Sequence, residues 1–209
     1  NSRTLSSGSL TGGYVYLGGT VDGNISFTNS GSITSTHSNY GVFYLPSIGN
    51  TSSLKSASIT NTGSMITTGE FAIPIYIIGK NDGSFPSFTR RSFAFSLDNG
   101  SDGEINSAAN GTYIINGSLG TFAVTNSGTI STSSTSSSHS AINLSGGSTA
   151  TITNSGEITA GGSAKAITID SSSATISNNS GGTITGAVIL GSNAGSSLAL
   201  NGGAVIGNI

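Results

Sequence analysis

Hydrophobic residues in this chain fall at every second position within short segments. In "FAVT" (122–125), "ATIT" (150–153) and "ATIS" (174–177), apolar side chains alternate with Ser, Thr or Ala. A period of two is that of a β-strand with one face in a core and the other in water. No stretch carries a helical period, and Gly and Ser recur too often for helices.

The strand-like segments belong to a phrase that returns along the chain. It reads "FTNSGSIT" at 27–34, "ITNTGSMI" at 59–66, "VTNSGTIS" at 124–131, "ITNSGEIT" at 152–159 and, with a small insertion, "ISNNSGGTIT" at 176–185. Aligned on the asparagine, the copies give Asn29, Asn61, Asn99, Asn126, Asn154 and Asn178 (or Asn179), with a weaker echo in "LNGG" (200–203). The steps run from the low twenties to the high thirties of residues, a period that belongs to stacked repeat architectures.

Each repeat divides into three strands. The first precedes the Asn: 25–28, 57–60, 95–97, 122–125, 150–153, 174–177 and 198–200. The second follows the Gly: 32–34, 64–67, 104–106, 129–131, 157–159, 183–185 and 204–206. The third completes the circuit: 14–17, 42–45, 73–78, 113–115, 142–144, 166–169 and 187–190. The pattern predicts an all-β parallel solenoid of about seven rungs.

The "NSG" step is the corner between the first two strands. Asn and Gly tolerate positive φ, so a left-handed corner is expected there. Rungs stack about 4.8 Å apart, which places successive Asn amides within hydrogen-bonding reach, as in other Asn ladders. Ile33, Met65, Ile105, Ile130, Ile158 and Ile184 form the expected row inside.

Composition refines this picture. Of 209 residues 32 are Gly, and only 7% are charged, which by itself would suit a disordered linker. Disordered chains usually combine low hydrophobicity with high net charge, whereas the balance here is −2. The six basic residues, Arg3, Lys55, Lys80, Arg90, Arg91 and Lys165, are too few and scattered for a nucleic-acid surface. No apolar run nears the length of about 20 residues that spans a bilayer as a helix. The opening "NSRTLSSGSL" lacks the basic and apolar regions of a signal peptide, so a leader already removed or a piece of a longer protein is expected. With no cysteine, disulfides and thiol chemistry are excluded.

Repeats of the form "ITNSGTIT", "INLSGG" and "AITIDSSSATISN" resemble those in passenger domains of Gram-negative autotransporters, the type V secreted proteins. The resemblance covers nearly the whole chain, from about Tyr14 to Ile206. It implies a right-handed, single-stranded parallel β-helix: one domain over 1–209, a portion of a longer passenger, with a protruding loop at 79–93. It further implies export through the outer membrane to the cell surface or medium. A C-terminal β-barrel translocator is expected in the full-length protein, and the roles implied are adhesion, autoaggregation and biofilm formation, toxicity or proteolysis. The scarcity of cysteine suits a chain that crosses a barrel unfolded.

Candidate chemistry is sparse. The "GDSGS"-type motif of protease passengers and the "GxSxG" elbow are both missing from the sequence. His37 and His139 sit in Ser-rich, corner-like stretches. Asp98, Asp102 and Glu104 cluster in "DNGSDGEIN", where carboxylates around a Gly turn are a weak candidate for Ca²⁺, although the spacing is not that of an EF-hand. The favoured reading is a longer solvated corner, with no metal and no cofactor.

Binding candidates fall in two places. The irregular stretch "GKNDGSFPSFTRRSF" (79–93) interleaves Lys80, Arg90 and Arg91 with Phe85, Phe88 and Phe93, the pairing found in interaction hot spots. On the third strand, inward Val15/Leu17, Phe43/Leu45, Ile75/Ile77 and Ile142/Leu144 leave Tyr14, Tyr16, Tyr44 and Tyr76 outside, fading to Asn143, Thr168 and Ile189. An aromatic strip of this length marks an interaction surface, provided the facing is not off by one residue.

The expected function is therefore a non-catalytic, surface-displayed adhesin that contacts host receptors, glycans or its own copies. Two rivals stand beside it. A β-helical polysaccharide-degrading enzyme would gather several acids on one face, whereas the acids here are scattered. An ice-binding solenoid would need flat T-x-T ladders. "TIT" at 151–153 and 183–185 qualifies, but Asp98, Glu104 and Glu157 are expected to interrupt the columns.

Overall fold

Alternating segments become strands, and each strand pairs with the equivalent strand one turn away. In the computed structural model the residues described are 2–7, 10–11, 15–16, 23–37, 41–45, 54–69, 72–78, 93–109, 112–115, 120–171, 173–191 and 195–208. The first sheet has eight strands: Ser2–Ser7, Gly23–Asn29, Leu54–Asn61, Ala94–Asn99, Thr121–Asn126, Thr149–Asn154, Ala174–Asn179 and Ser197–Asn201. The second, also of eight, holds Leu10–Thr11, Ser32–Ser35, Ser64–Thr67, Glu104–Ser107, Thr129–Thr132, Glu157–Ala160, Thr183–Thr185 and Ala204–Ile206. The third has seven: Val15–Tyr16, Phe43–Leu45, Ile75–Ile78, Thr112–Ile115, Ser140–Ser145, Lys165–Asp170 and Ala187–Leu190.

Strand pairing within the sheets is parallel throughout, and the described residues contain no helix. The fold is all-β, a single-stranded parallel β-helix with three strands per turn. It has seven complete turns and two strands of an eighth. The earliest turn escapes the repeat pattern because Ser7, not Asn, pairs with Asn29 at its corner.

The interior is built of rows along the axis. Ile33, Met65, Ile105, Ile130, Ile158 and Ile184 are aligned by register on the second sheet and are 0–1% exposed. On the first sheet Phe27, Ile59, Leu97, Val124, Ile152 and Ile176 form a parallel row. Beside it, Phe95 and Phe122 fill positions that become Ala150 and Ala174 in later turns, all of them buried. Phe27 meets Phe43 of the third sheet with ring centroids 5.3 Å apart and planes tilted by 37°. Each such side chain contributes about 1.5–3 kcal/mol on burial, with contacts supplied by its own turn and the adjacent ones.

The corners differ from the left-handed turn that "NSG" suggests. No described non-glycine residue has positive φ, and Gly63, Gly128 and Gly156 keep ordinary φ as well. The reason for glycine is space. A Cβ on Gly63 would overlap the carbonyl oxygen of Gly31, one on Gly128 that of Gly103, and one on Gly156 that of Gly128. These carbonyls carry the ladder around the bend: Ser64 N–H donates to Gly31 (2.9 Å), Thr129 N–H to Gly103 and Glu157 N–H to Gly128 (2.8 Å each). At this first corner positive φ enters in longer copies, as at Gly181 (+86°), the third residue of a turn closed by Gly182 N–H on the Asn179 carbonyl.

The two explanations of the corner glycine differ in sign. If only φ mattered, Gly156→Ala would be neutral or mildly stabilising. The overlap with Gly128 instead predicts a loss of about 1–3 kcal/mol, the usual cost of overpacking, read from the urea midpoint. Ile130→Asp places an unpaired charge in the second-sheet row, and the middle turns are expected not to fold, as judged by loss of the β-type circular dichroism signal.

Candidate functional site

The most ordered polar feature is the file of asparagine amides at the first corner. Asn29, Asn61, Asn99, Asn126 and Asn154 end their strands, Asn178 is the last residue but one of its own, and all six are fully buried. The Nδ2 of each donates to the Oδ1 of the next, at 2.8 Å in every step. Nδ2 also reaches a main-chain carbonyl of the following turn: Ser64 (3.1 Å) from Asn29, Glu104 (3.2 Å) from Asn61, Thr129 (3.2 Å) from Asn99 and Glu157 (3.1 Å) from Asn126. Asn201 does not extend the file. It pairs with Asn179 on the exposed side, and Leu200 takes the register position after Asn178.

A second polar file lies at the next corner, and the sequence reading missed it. Ser35, Thr67, Ser107 and Thr132 share one register row and are buried. Thr67 Oγ1 and Ser107 Oγ donate to the Ala72 carbonyl at 2.9 and 3.0 Å. Ala109 N–H donates to Ser107 Oγ (2.9 Å), and the Thr132 hydroxyl donates to the Ala109 carbonyl. These hydroxyls fold each loop inward as it leaves the second sheet. The signal was present in "ITS", "MIT", "INS" and "IST", where a hydroxyl stands two residues after an inward apolar and so has inward parity.

The third sheet carries the tyrosines. Register aligns Tyr16 with Tyr44, Tyr44 with Tyr76, and Tyr76 with Tyr113, followed by Asn143, Thr168 and Ile189. Tyr76 is half-buried between the fully buried Ile75 and Ile77, which places its side chain on the outer side. Tyr113 is a fourth member that the sequence reading lacked. The strand begins at Thr112, and only the register shows that Tyr113 follows Tyr76. Tyr14 and the loop candidates Lys80, Phe85, Phe88, Arg90 and Arg91 lie outside the described residues.

The acids are dispersed over different faces. Asp98 is exposed on the outer face of the first sheet, Asp102 is exposed in the turn closed by Gly103 N–H on the Gly100 carbonyl (2.9 Å), and Glu104 is half-buried on the second sheet. Among the described residues, no three His, Asp or Glu side chains gather where they could hold a metal ion. His37 is exposed, while His139 Nδ1 pairs with Ser134 Oγ at 2.7 Å. That serine also accepts from Ser136 N–H (3.2 Å), and Lys165 N–H donates to the His139 carbonyl (2.9 Å). The Ser–His contact thus closes a corner loop.

One shallow groove of about 500 Å³ runs outside the first corner over four turns. Short corners at Gly128 and Gly156 make its floor, the longer corners at Ser101 and Gly181 bound its ends, and Glu157 is its one carboxylate. Comparison with protein-family models, curated proteins and solved structures gives no match to this chain.

The amide file makes a stability prediction. Asn126→Ala strips the acceptor from Asn99 Nδ2 and the donor from Asn154 Oδ1, leaving two buried amides short of a partner. The expected loss is about 1–3 kcal/mol in urea unfolding, and an unchanged midpoint would count against the file as a source of stability.

Proposed function

We propose that this chain is a passenger-type adhesive solenoid, exported and displayed at a bacterial surface. In this reading it contacts host receptors, glycans or its own copies and performs no catalysis. A β-barrel translocator following it in the full-length protein belongs to the same proposal. One observation carries it: register aligns Tyr16, Tyr44, Tyr76 and Tyr113 in consecutive turns, at a position where Tyr76 faces outward.

The physical reasoning is one of contrast. Short hydroxyl side chains are cheaply hydrated and offer a partner little. Tyrosine offers a large amphipathic area with few rotatable bonds to freeze, and a rigid scaffold repeats it at fixed intervals. Arg90 and Arg91, in the stretch between the Tyr76 strand and Ala94–Asn99, would supply planar donors for carboxylates or sugar hydroxyls. The dispersal of Asp98, Glu104, Glu157 and Asp170 over three sheets favours binding over a lyase-like reaction, which would gather acids on one face.

The test is a quadruple replacement of Tyr44, Tyr76, Arg90 and Arg91 by Ser in the surface-displayed protein. Adhesion or cell aggregation is expected to be lost while the thermal transition stays nearly unchanged. Normal adhesion by a folded variant would place the contact surface elsewhere. Tyr113→Ser alone is expected to weaken binding, since it removes one member of the row.

A further inference from the structure

The outer face of the first sheet has a regularity that neither other sheet shares. In the three turns from Thr121 to Ser177 its outward positions carry Thr121, Thr125, Thr149, Thr151, Thr153 and Thr175, with Ala or Ser between them. These threonines are exposed, Thr153 partly so. Register between Thr121–Asn126, Thr149–Asn154 and Ala174–Asn179 runs without a shift, so the side chains fall into straight rows. Neighbours stand about 4.8 Å apart across strands and about 6.6 Å apart along them. The amide file at Asn126, Asn154 and Asn178 runs along the edge of these rows and holds their register.

On this sheet the exposed charges, Lys55 and Asp98, lie on strands before the threonine rows. From the sequence alone Asp98, Glu104 and Glu157 all seemed to interrupt the threonine columns. The sheets separate them: Glu104 and Glu157 stand on the second sheet, and Asp98 alone remains on the first, one turn before the threonine rows begin. "TIT" at 183–185 also belongs to the second sheet. The third sheet's outer side carries Tyr76, Lys165 and Asp170.

We propose that these threonine rows form a plane for docking on ice. A β-branched side chain has little χ1 freedom, so hydroxyls and methyls hold fixed places in the rows. Water bound by such hydroxyls repeats in two dimensions on the scale of the oxygen spacing on a crystal face of ice. The methyls fill the gaps, and the charge nearest the rows is Asp98, the register partner of Thr125 at their edge. The proposal does not rest on the adhesive reading, because the tyrosine row lies on another sheet.

The test freezes an ice shell slowly from a solution of the 209-residue chain with serum albumin as the excluded reference, and measures thermal hysteresis in parallel. The chain is expected to partition into the ice and to open a hysteresis gap. Thr151→Lys and, separately, Thr125→Lys should close the gap with unchanged circular dichroism melting, while Thr159→Lys on the second sheet should keep it. If a lysine variant fails to fold, Thr151→Ser, which loses only the methyl, should still narrow the gap. Exclusion of the unaltered chain from ice would overturn the proposal. So would equal loss in Thr159→Lys, because the effect would then not belong to the first sheet.

Discussion

A single file of asparagine amides sets the terms for the rest of the molecule. Each amide is fully buried, and each has to stand above the previous one at about the strand spacing for its N–H to meet the next carbonyl oxygen. A rung displaced by one residue would leave a buried donor and a buried acceptor open and turn its apolar residues outward. The file therefore fixes register, and register fixes which residues are core. It also explains the glycines. With amides and main-chain carbonyls stacked this closely, Gly63, Gly103, Gly128, Gly156, Gly182 and Gly203, each just before a second-sheet strand, have no room for a Cβ.

Once register is fixed at the inner rows, the outer rows are free to differ, and function on such a scaffold resides in faces. The three faces have diverged. The first, beyond the turn that holds Asp98, is an uncharged grid of Thr, Ser and Ala, the second alternates hydroxyls with Glu104 and Glu157, and the third carries the tyrosine row. The sheets meet in the core, as Phe27 meets Phe43, while outward side chains stand on the far side of each strand. A substitution on one face should leave the others intact, which makes single-face variants interpretable.

Much of this was legible in the sequence, for a physical reason. Strand columns, the inner row from Ile33 to Ile184 and the asparagine positions all follow from a period of two inside a longer repeat. What escaped shares another trait: it depends on which residue lies beside which. The first turn was hidden because Ser7 replaces Asn at the corner, and Tyr113 because its strand starts one residue earlier than its apolar run. The buried hydroxyls at Thr67, Ser107 and Thr132 look like surface residues until their parity is counted. The corner glycines were assigned to positive φ, the usual reason for glycine at a bend. Only the stacked neighbour reveals that the constraint is space.

The ends of the amide file show how little it demands of its own length. An amide ladder is directional, so its first member needs a donor for Oδ1 and its last an acceptor for Nδ2. Both are met by the main chain: Gly31 N–H donates to Asn29 Oδ1 (3.3 Å), and Asn178 Nδ2 donates to the Ala204 (2.9 Å) and Gly182 (3.2 Å) carbonyls. The file can thus begin after a turn whose corner holds Ser7 and stop before one that offers Leu200, with no orphaned amide at either end. Stability then scales with the number of stacked turns, each adding one amide step and one set of core contacts. A scaffold of this kind can gain or lose turns, or lengthen a corner as at Asn99 and Asn178, while the rows on every face stay in line.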